Sequence, residues 1–228
     1  MDRQLSNLQI ASLLFTQPRE AFARLKENPR FALPLWAALI GTAATVLWYY
    51  SAVNMEWLQE QMIPPDAPAA SQPPPAMPRG VLIWVSLLAG VVGLLVIRGV
   101  EAVYFLLAGY LTNVRYRFRQ WFAFSWWASS PQLLALIPSL LLLMFGDVQT
   151  MDMSELQPLS LNELLFHRTI NEPGFSLFTT LTLLHIASWA LTIVGVRVWS
   201  GRSLAYSVIY AMLPAVLIYG TWAAVSLA

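Results

Sequence analysis

Five stretches of the chain contain no Asp, Glu, Lys or Arg: residues 31 to 55, 80 to 97, 120 to 146, 173 to 196 and 203 to 228. A helix needs roughly 20 apolar residues to cross the hydrocarbon core of a bilayer, and four of the stretches reach that length unaided. The second is interrupted by Arg98 and Glu101, but its apolar pattern resumes over residues 103 to 110. Residues 81 to 112 therefore read as one helix, about 48 Å long at 1.5 Å per residue, enough to cross with tilt or to project beyond the bilayer. Isolated strands cannot satisfy their backbone groups in lipid, so every span is helical. The pattern predicts an all-α, polytopic integral membrane bundle of five transmembrane helices, with spans at about 31–53, 81–112, 121–145, 174–197 and 204–227. Trp48, Tyr49, Tyr50 and Trp57 form an interfacial aromatic belt at the end of the first span. That span reads as retained rather than cleaved, because residues of mixed charge precede it and no small-residue cleavage site follows.

The segments between the spans have their own signatures. Residues 1–30 form a separate amphipathic segment ahead of the membrane domain 31–228. Pro18 suits a first helical position, Glu20 lies in the first turn and Asn28–Pro29 is a stop. Ala21, Phe22 and Leu25 share one face, while Arg19, Arg24 and Lys26 can reach phosphates. Such a helix either lies in the membrane interface or packs on the ends of the spans. The loop 54–80 carries seven prolines between Ile63 and Pro78. It reads as an extended spacer, with a docking peptide as the alternative. The loop 146–173 is acidic, and Ser160 and Glu163 have capping-box spacing before Leu164, which predicts a short helix over about 160–169 covering the bundle.

Composition agrees with a lipid environment. Of 228 residues, 57% are hydrophobic and 11% charged, whereas a soluble domain carries about 25% charge. Soluble enzymes, secreted domains and disordered regulators fit this balance poorly. Cysteine is absent, which removes disulfides, thiolate nucleophiles and Cys-based metal sites. The net charge of +1 conceals an uneven distribution. If the spans alternate, Arg3, Arg19, Arg24, Lys26, Arg30, Arg115, Arg117, Arg119, Arg197 and Arg202 share one side, against Arg79 and Arg168 on the other. The positive-inside rule then places the N-terminus in the cytoplasm and the C-terminus outside. Glu56, Glu60, Asp66, Asp147, Asp152, Glu155, Glu163 and Glu172 make the outer side acidic.

Chemistry has few candidates. Arg98, Glu101 and His185 are the ionisable residues deep in the spans, where a lone charge costs about 2.5–3.5 kcal/mol on insertion scales. Arg98 and Glu101 stand i, i+3 on one helix and can neutralise each other. His185 falls about midway along the fourth predicted span. The cluster is either a proton or ion relay or headgroup pocket, or a structural pair with a neutral histidine nearby. Pro131, Pro138 and Pro214 can kink their helices. The pairs Arg119/Pro131 and Arg202/Pro214 share one spacing, a faint sign that spans two–three and four–five are parallel repeats. The basic-aromatic run over residues 113–121 reads as a lipid-touching flank rather than a nucleic-acid site. Contacts to lipid or a partner are expected at Arg19, Arg24, Lys26, Arg115, Arg117, Arg119 and Arg202. No motif for nucleotide binding, zinc hydrolysis or a serine nucleophile is present. The expectation is therefore no enzyme, no cofactor, no metal and no nucleic-acid partner.

The run Phe15–Thr16–Gln17–Pro18–Arg19–Glu20–Ala21–Phe22, followed by Glu27–Asn28–Pro29–Arg30 and Leu33–Pro34, resembles the beginning of bacterial members of the Yip domain family, the Ypt-interacting proteins. So does the basic turn 113–121 leading to Ser129–Ser130–Pro131. Leu161–Asn162–Glu163–Leu164–Leu165–Phe166, a span with Trp189 and Gly195, and then Gly201–Arg202–Ser203–Leu204–Ala205 are similar again. Leu184, His185 and Ile186 depart from the acidic or aromatic residues usual in the family before the span-four tryptophan. The resemblance implies five spans and a cytoplasmic N-terminus. Eukaryotic relatives act in vesicle traffic with small GTPases and with each other, while bacterial relatives have no established common activity. The expected function is a membrane scaffold or organiser working through lipids and a protein partner or second copy. The alternative is a small transporter, channel or lipid-handling protein built on Arg98, Glu101 and His185. The expected location is a bacterial cytoplasmic membrane, or else Golgi or endoplasmic reticulum.

Overall fold

The computed structural model describes residues 6–61, 77–170 and 172–227, so six of the seven loop prolines fall outside the described residues. Five helices are long and apolar enough to cross a membrane. Two short helices precede them. The first, α1 (Asn7–Thr16), begins at a capping box that the sequence reading missed: Ser6 Oγ accepts from the Gln9 amide at 3.2 Å, and Gln9 Oε1 accepts from the Ser6 amide at 2.7 Å. It is followed by α2 (Pro18–Glu27), with Pro18 in its first turn and Arg24 and Lys26 in its last.

The first two spans are α3 (Ala32–Ala52) and α5 (Arg79–Thr112), with the short α4 (Met55–Gln61) between them. Asn113 ends α5 in the left-handed region at φ 60°, a conformation that Asn tolerates better than most residues. The third span is interrupted, with α6 (Phe118–Ala128), a 3-10 segment (Ser130–Ala135) and α7 (Leu136–Phe145) in succession. Pro131 lacks the amide that would have bonded Trp127 O. Ser130 Oγ donates to that carbonyl instead, at 2.8 Å, and Ser129 Oγ donates to Ser125 O at 2.8 Å.

The fourth span departs from the predicted 174–197. A short helix, α8 (Phe175–Thr180), stops before Leu181, and the crossing helix α9 runs Leu183–Ser200. The break is held by backbone pairing with the acidic loop. The Leu161 amide donates to Leu181 O at 2.7 Å and the Leu183 amide to Leu159 O at 3.2 Å. In that loop the helical stretch is shorter than predicted, a π-helical turn over Asn162–Phe166. Asn162 cuts it short by clamping Arg168, accepting from its amide at 3.0 Å and donating to its carbonyl at 3.1 Å. The last span, α10 (Leu204–Ser226), continues through Pro214, unlike α6 at Pro131, so the two proposed repeats differ at their prolines.

Packing concentrates at the two ends of the bundle. At the end carrying the basic turns, Trp121 is fully buried and stacks on Phe105 at 5.2 Å, with Trp199 at 4.9 Å and Phe124 at 5.4 Å. The turns are tied together there: Tyr116 OH donates to Trp199 O at 2.8 Å, Trp127 Nε1 to Arg30 O at 2.6 Å and Gln120 Nε2 to Lys26 O at 3.0 Å. The apolar face of α2 belongs to this core, with Ala21, Phe22 and Leu25 fully buried. The α2 helix thus packs on the ends of the spans, as one of the two readings of the segment expects. At the opposite end Val46, Tyr49, Val53, Leu82, Leu143 and Met151 form a second core, and Tyr49 OH donates to Met151 O at 3.0 Å. The remaining apolar surface, including Leu88, Val92 and Leu95 on α5, is exposed and fits contact with lipid.

Gly195 shows how tight the first core is. A Cβ there would collide with the Phe124 ring and stand 2.9 Å from Phe22 Cδ1. Overpacking of this kind typically costs about 1–3 kcal/mol. Gly195→Val should therefore lower the melting temperature in mild detergent. Gly220→Val, with nothing within 4 Å of its Cβ, should leave it nearly unchanged. Equal melting of both variants would refute the close packing.

Candidate functional site

Two constellations have polar chemistry in a membrane setting. The first lies within the spans. Arg98 and Glu101 are one turn apart on α5, and Arg98 Nη1 donates to Glu101 Oε2 at 2.7 Å. The Arg98 side chain is only 10% exposed and that of Glu101 33%. The pair faces α6, whose Ser125 reaches toward the Glu101 carboxylate without completing a hydrogen bond. Ser125 lies one turn before the break at Ser129.

His185 sits in the first turn of α9, not midway along a span, because the helix begins at Leu183. Its Nδ1 accepts from the Thr182 amide at 3.1 Å, so the ring caps α9. The same bond leaves Nε2 to carry the proton of the neutral ring. Tyr219 meets the ring edge-on at 5.8 Å and Trp189 at 6.0 Å. Tyr219 also lies within electrostatic range of both Arg98 and Glu101. No hydrogen bond joins His185 to the ion pair among the described residues. The three groups therefore share a neighbourhood rather than forming a bonded relay.

The second constellation covers the basic end. Arg24 pairs with Glu20 at 3.6 Å, and Lys26 Nζ stands 5.2 Å over the Tyr116 ring. Arg202 donates to Thr112 O at 2.6 Å and lies 4.9 Å over Tyr206. Arg115 and Arg117, in the turn between α5 and α6, and Arg119, in the first turn of α6, are exposed. Arg19 is also exposed and borders a groove with Arg197, a residue that the sequence reading used only for topology. The closed turns hold these cations on one end of the bundle, where guanidinium forks can meet phosphates or carboxylates. The opposite end presents Asp147, Asp152 and Glu155, the first two capping the short 3-10 turns over Val148–Thr150 and Met153–Leu156.

Comparison with known proteins places the whole arrangement. The family model described as Yip1 domain matches residues 12–225, nearly the full span from α1 to the end of α10. Neither the curated proteins nor the solved structures compared with the chain give a match.

Proposed function

The chain belongs to the Yip1 domain family, and from that premise we propose that it is a non-catalytic organiser of a bacterial cytoplasmic membrane. In this reading the basic end is cytoplasmic and works by touching anionic lipid and a protein partner or second copy of the chain. One observation carries it. The apolar face of α2 is consumed by the bundle, with Ala21, Phe22 and Leu25 fully buried, so its basic edge is held outward beside Arg115, Arg117, Arg119 and Arg202. A cationic surface fixed at the ends of spans attracts anionic headgroups, each basic group near the surface contributing about 1 kcal/mol.

A second reading is favoured by the interrupted third span. Broken helices recur where transporters bind substrates, and here Ser125, one turn before the break, faces Glu101. On that reading Arg98, Glu101 and His185 serve transport or lipid handling.

The two readings separate in native lipid discs and proteoliposomes. The organiser reading expects enriched anionic lipid and a stoichiometric protein partner or second copy by mass spectrometry, with no ion flux. Single cysteines introduced at Arg117 and at Asp147 should label from opposite faces of sealed vesicles, the first from the cytoplasmic one. Proton or ion flux that disappears in Glu101→Gln, with no retained partner, would give the site to transport.

A further inference from the structure

We propose that the groove between α2 and the α9–α10 corner binds the phosphate of one anionic phospholipid, with the glycerol end of that lipid resting on an apolar wall. The groove, about 230 Å³, is lined by Arg19, Ile193, Val194, Arg197, Val198 and Leu204, with no carboxylate among them. It is smaller than the roughly 300–1,000 Å³ clefts that enclose whole drug-sized ligands, and so suits a single headgroup phosphate. This proposal rests on the reading of the basic end as a lipid-facing surface and narrows it to one place.

The two arginines come from segments far apart in the chain and are brought together by the fold. Trp199 Nε1 donates to Phe22 O at 2.8 Å and pins α2 across α9. That contact fixes Arg19, in the first turn of α2, relative to Arg197, in the last turn of α9. Neither arginine is engaged in an ion pair among the described residues, and the neighbouring Glu20 is taken by Arg24. Two free guanidinium groups over one groove are complementary to a phosphodiester, whose oxygens accept bidentate donation.

The wall decides between a lipid and a free phosphate. Ile193, Val194 and Val198 lie on the last turns of a membrane-crossing helix, and Leu204 opens the next. Inorganic phosphate would leave these four side chains unused. A phospholipid uses both halves of the groove, because its phosphate sits at the level where a span leaves the hydrocarbon and its chain continues along the apolar side.

The test uses the full-length protein in discs of mixed phosphatidylglycerol and phosphatidylcholine, released and weighed by native mass spectrometry. The wild type should retain one phosphatidylglycerol. The double variant Arg19→Gln/Arg197→Gln, which removes both charged contacts, should lower that retention at least about tenfold. Val194→Trp, which fills the wall without removing charge, should lower it as well. The triple variant Arg115→Gln/Arg117→Gln/Arg119→Gln should keep the tight lipid while reducing overall binding to anionic vesicles. Unchanged retention in both groove variants overturns the groove and leaves the basic-surface reading intact. If the triple variant also binds anionic vesicles as the wild type does, the surface reading falls with it. Equal retention of phosphatidylcholine and phosphatidylglycerol by the wild type also overturns the proposal.

Discussion

Glu101→Ala should destabilise the folded protein by about 2.5–3.5 kcal/mol, the cost of a lone arginine at the centre of a span on insertion scales. The expectation follows from geometry. Arg98 is 10% exposed and its partner stands at 2.7 Å on the same helix. Removing the carboxylate strands a guanidinium that has few other partners, and the stranded charge costs far more than the pair contributes. Replacing both residues by leucine should be neutral or stabilising, because the desolvation of both charges disappears together. A double-mutant cycle on unfolding in bicelles reads the coupling directly. Near-wild-type stability of Glu101→Ala would mean that Arg98 reaches water. That outcome would shift the balance toward a hydrated site beside the broken third span.

Trp121→Ala should cost about 3–5 kcal/mol, the range for deleting a large aromatic from a packed core. Trp121 is fully buried and contacts the rings of Phe105, Tyr116, Phe124, Trp199 and Tyr210. The loss is one of shape complementarity, since packing rather than water exclusion holds helices together in lipid. A subtler comparison separates packing from hydrogen bonding. Trp121 Nε1 is buried without a partner, whereas Trp199 Nε1 donates to Phe22 O at 2.8 Å. Trp199→Phe should therefore lower the melting temperature more than Trp121→Phe, although both remove the same atoms. Equal losses would show that the bond to α2 adds nothing.

The spans were legible because lipid imposes a simple rule, a long stretch without charge. The ends of α3, α5 and α10 fall within two residues of the predicted spans 31–53, 81–112 and 204–227, the second of which was extended past Arg98 and Glu101 on its resumed apolar pattern. What the rule does not see is backbone. The break before α9 comes from pairing between Leu159–Leu161 and Leu181–Leu183, which are not neighbours in sequence. Counting residues across an unbroken span therefore put His185 too deep. The Arg98–Glu101 contact was readable from i, i+3 spacing alone, while the nearness of Ser125 and Tyr219 required the packing of α6 and α10. Arg197 was visible as a charge but not as a groove residue, because the groove exists only where α2 crosses α9. The helix α1 was readable from Ser6 and Gln9, a signal that the apolar stretches overshadowed.

The hydrogen bond from Trp199 to Phe22 closes a loop of 177 residues, and that has a consequence for synthesis. At about 5–20 residues per second, α2 waits roughly 9–35 s after leaving the ribosome before its docking surface on α9 exists. During that interval Phe22 has only its partner on α6, Phe124 at 5.1 Å, and the half of the core that α9 supplies through Val196 and Trp199 is missing. Chains stopped after Leu181 should consequently be cut by protease within α2, while complete chains resist. Order of appearance, and not only final packing, thus sets when this face of the protein becomes a surface.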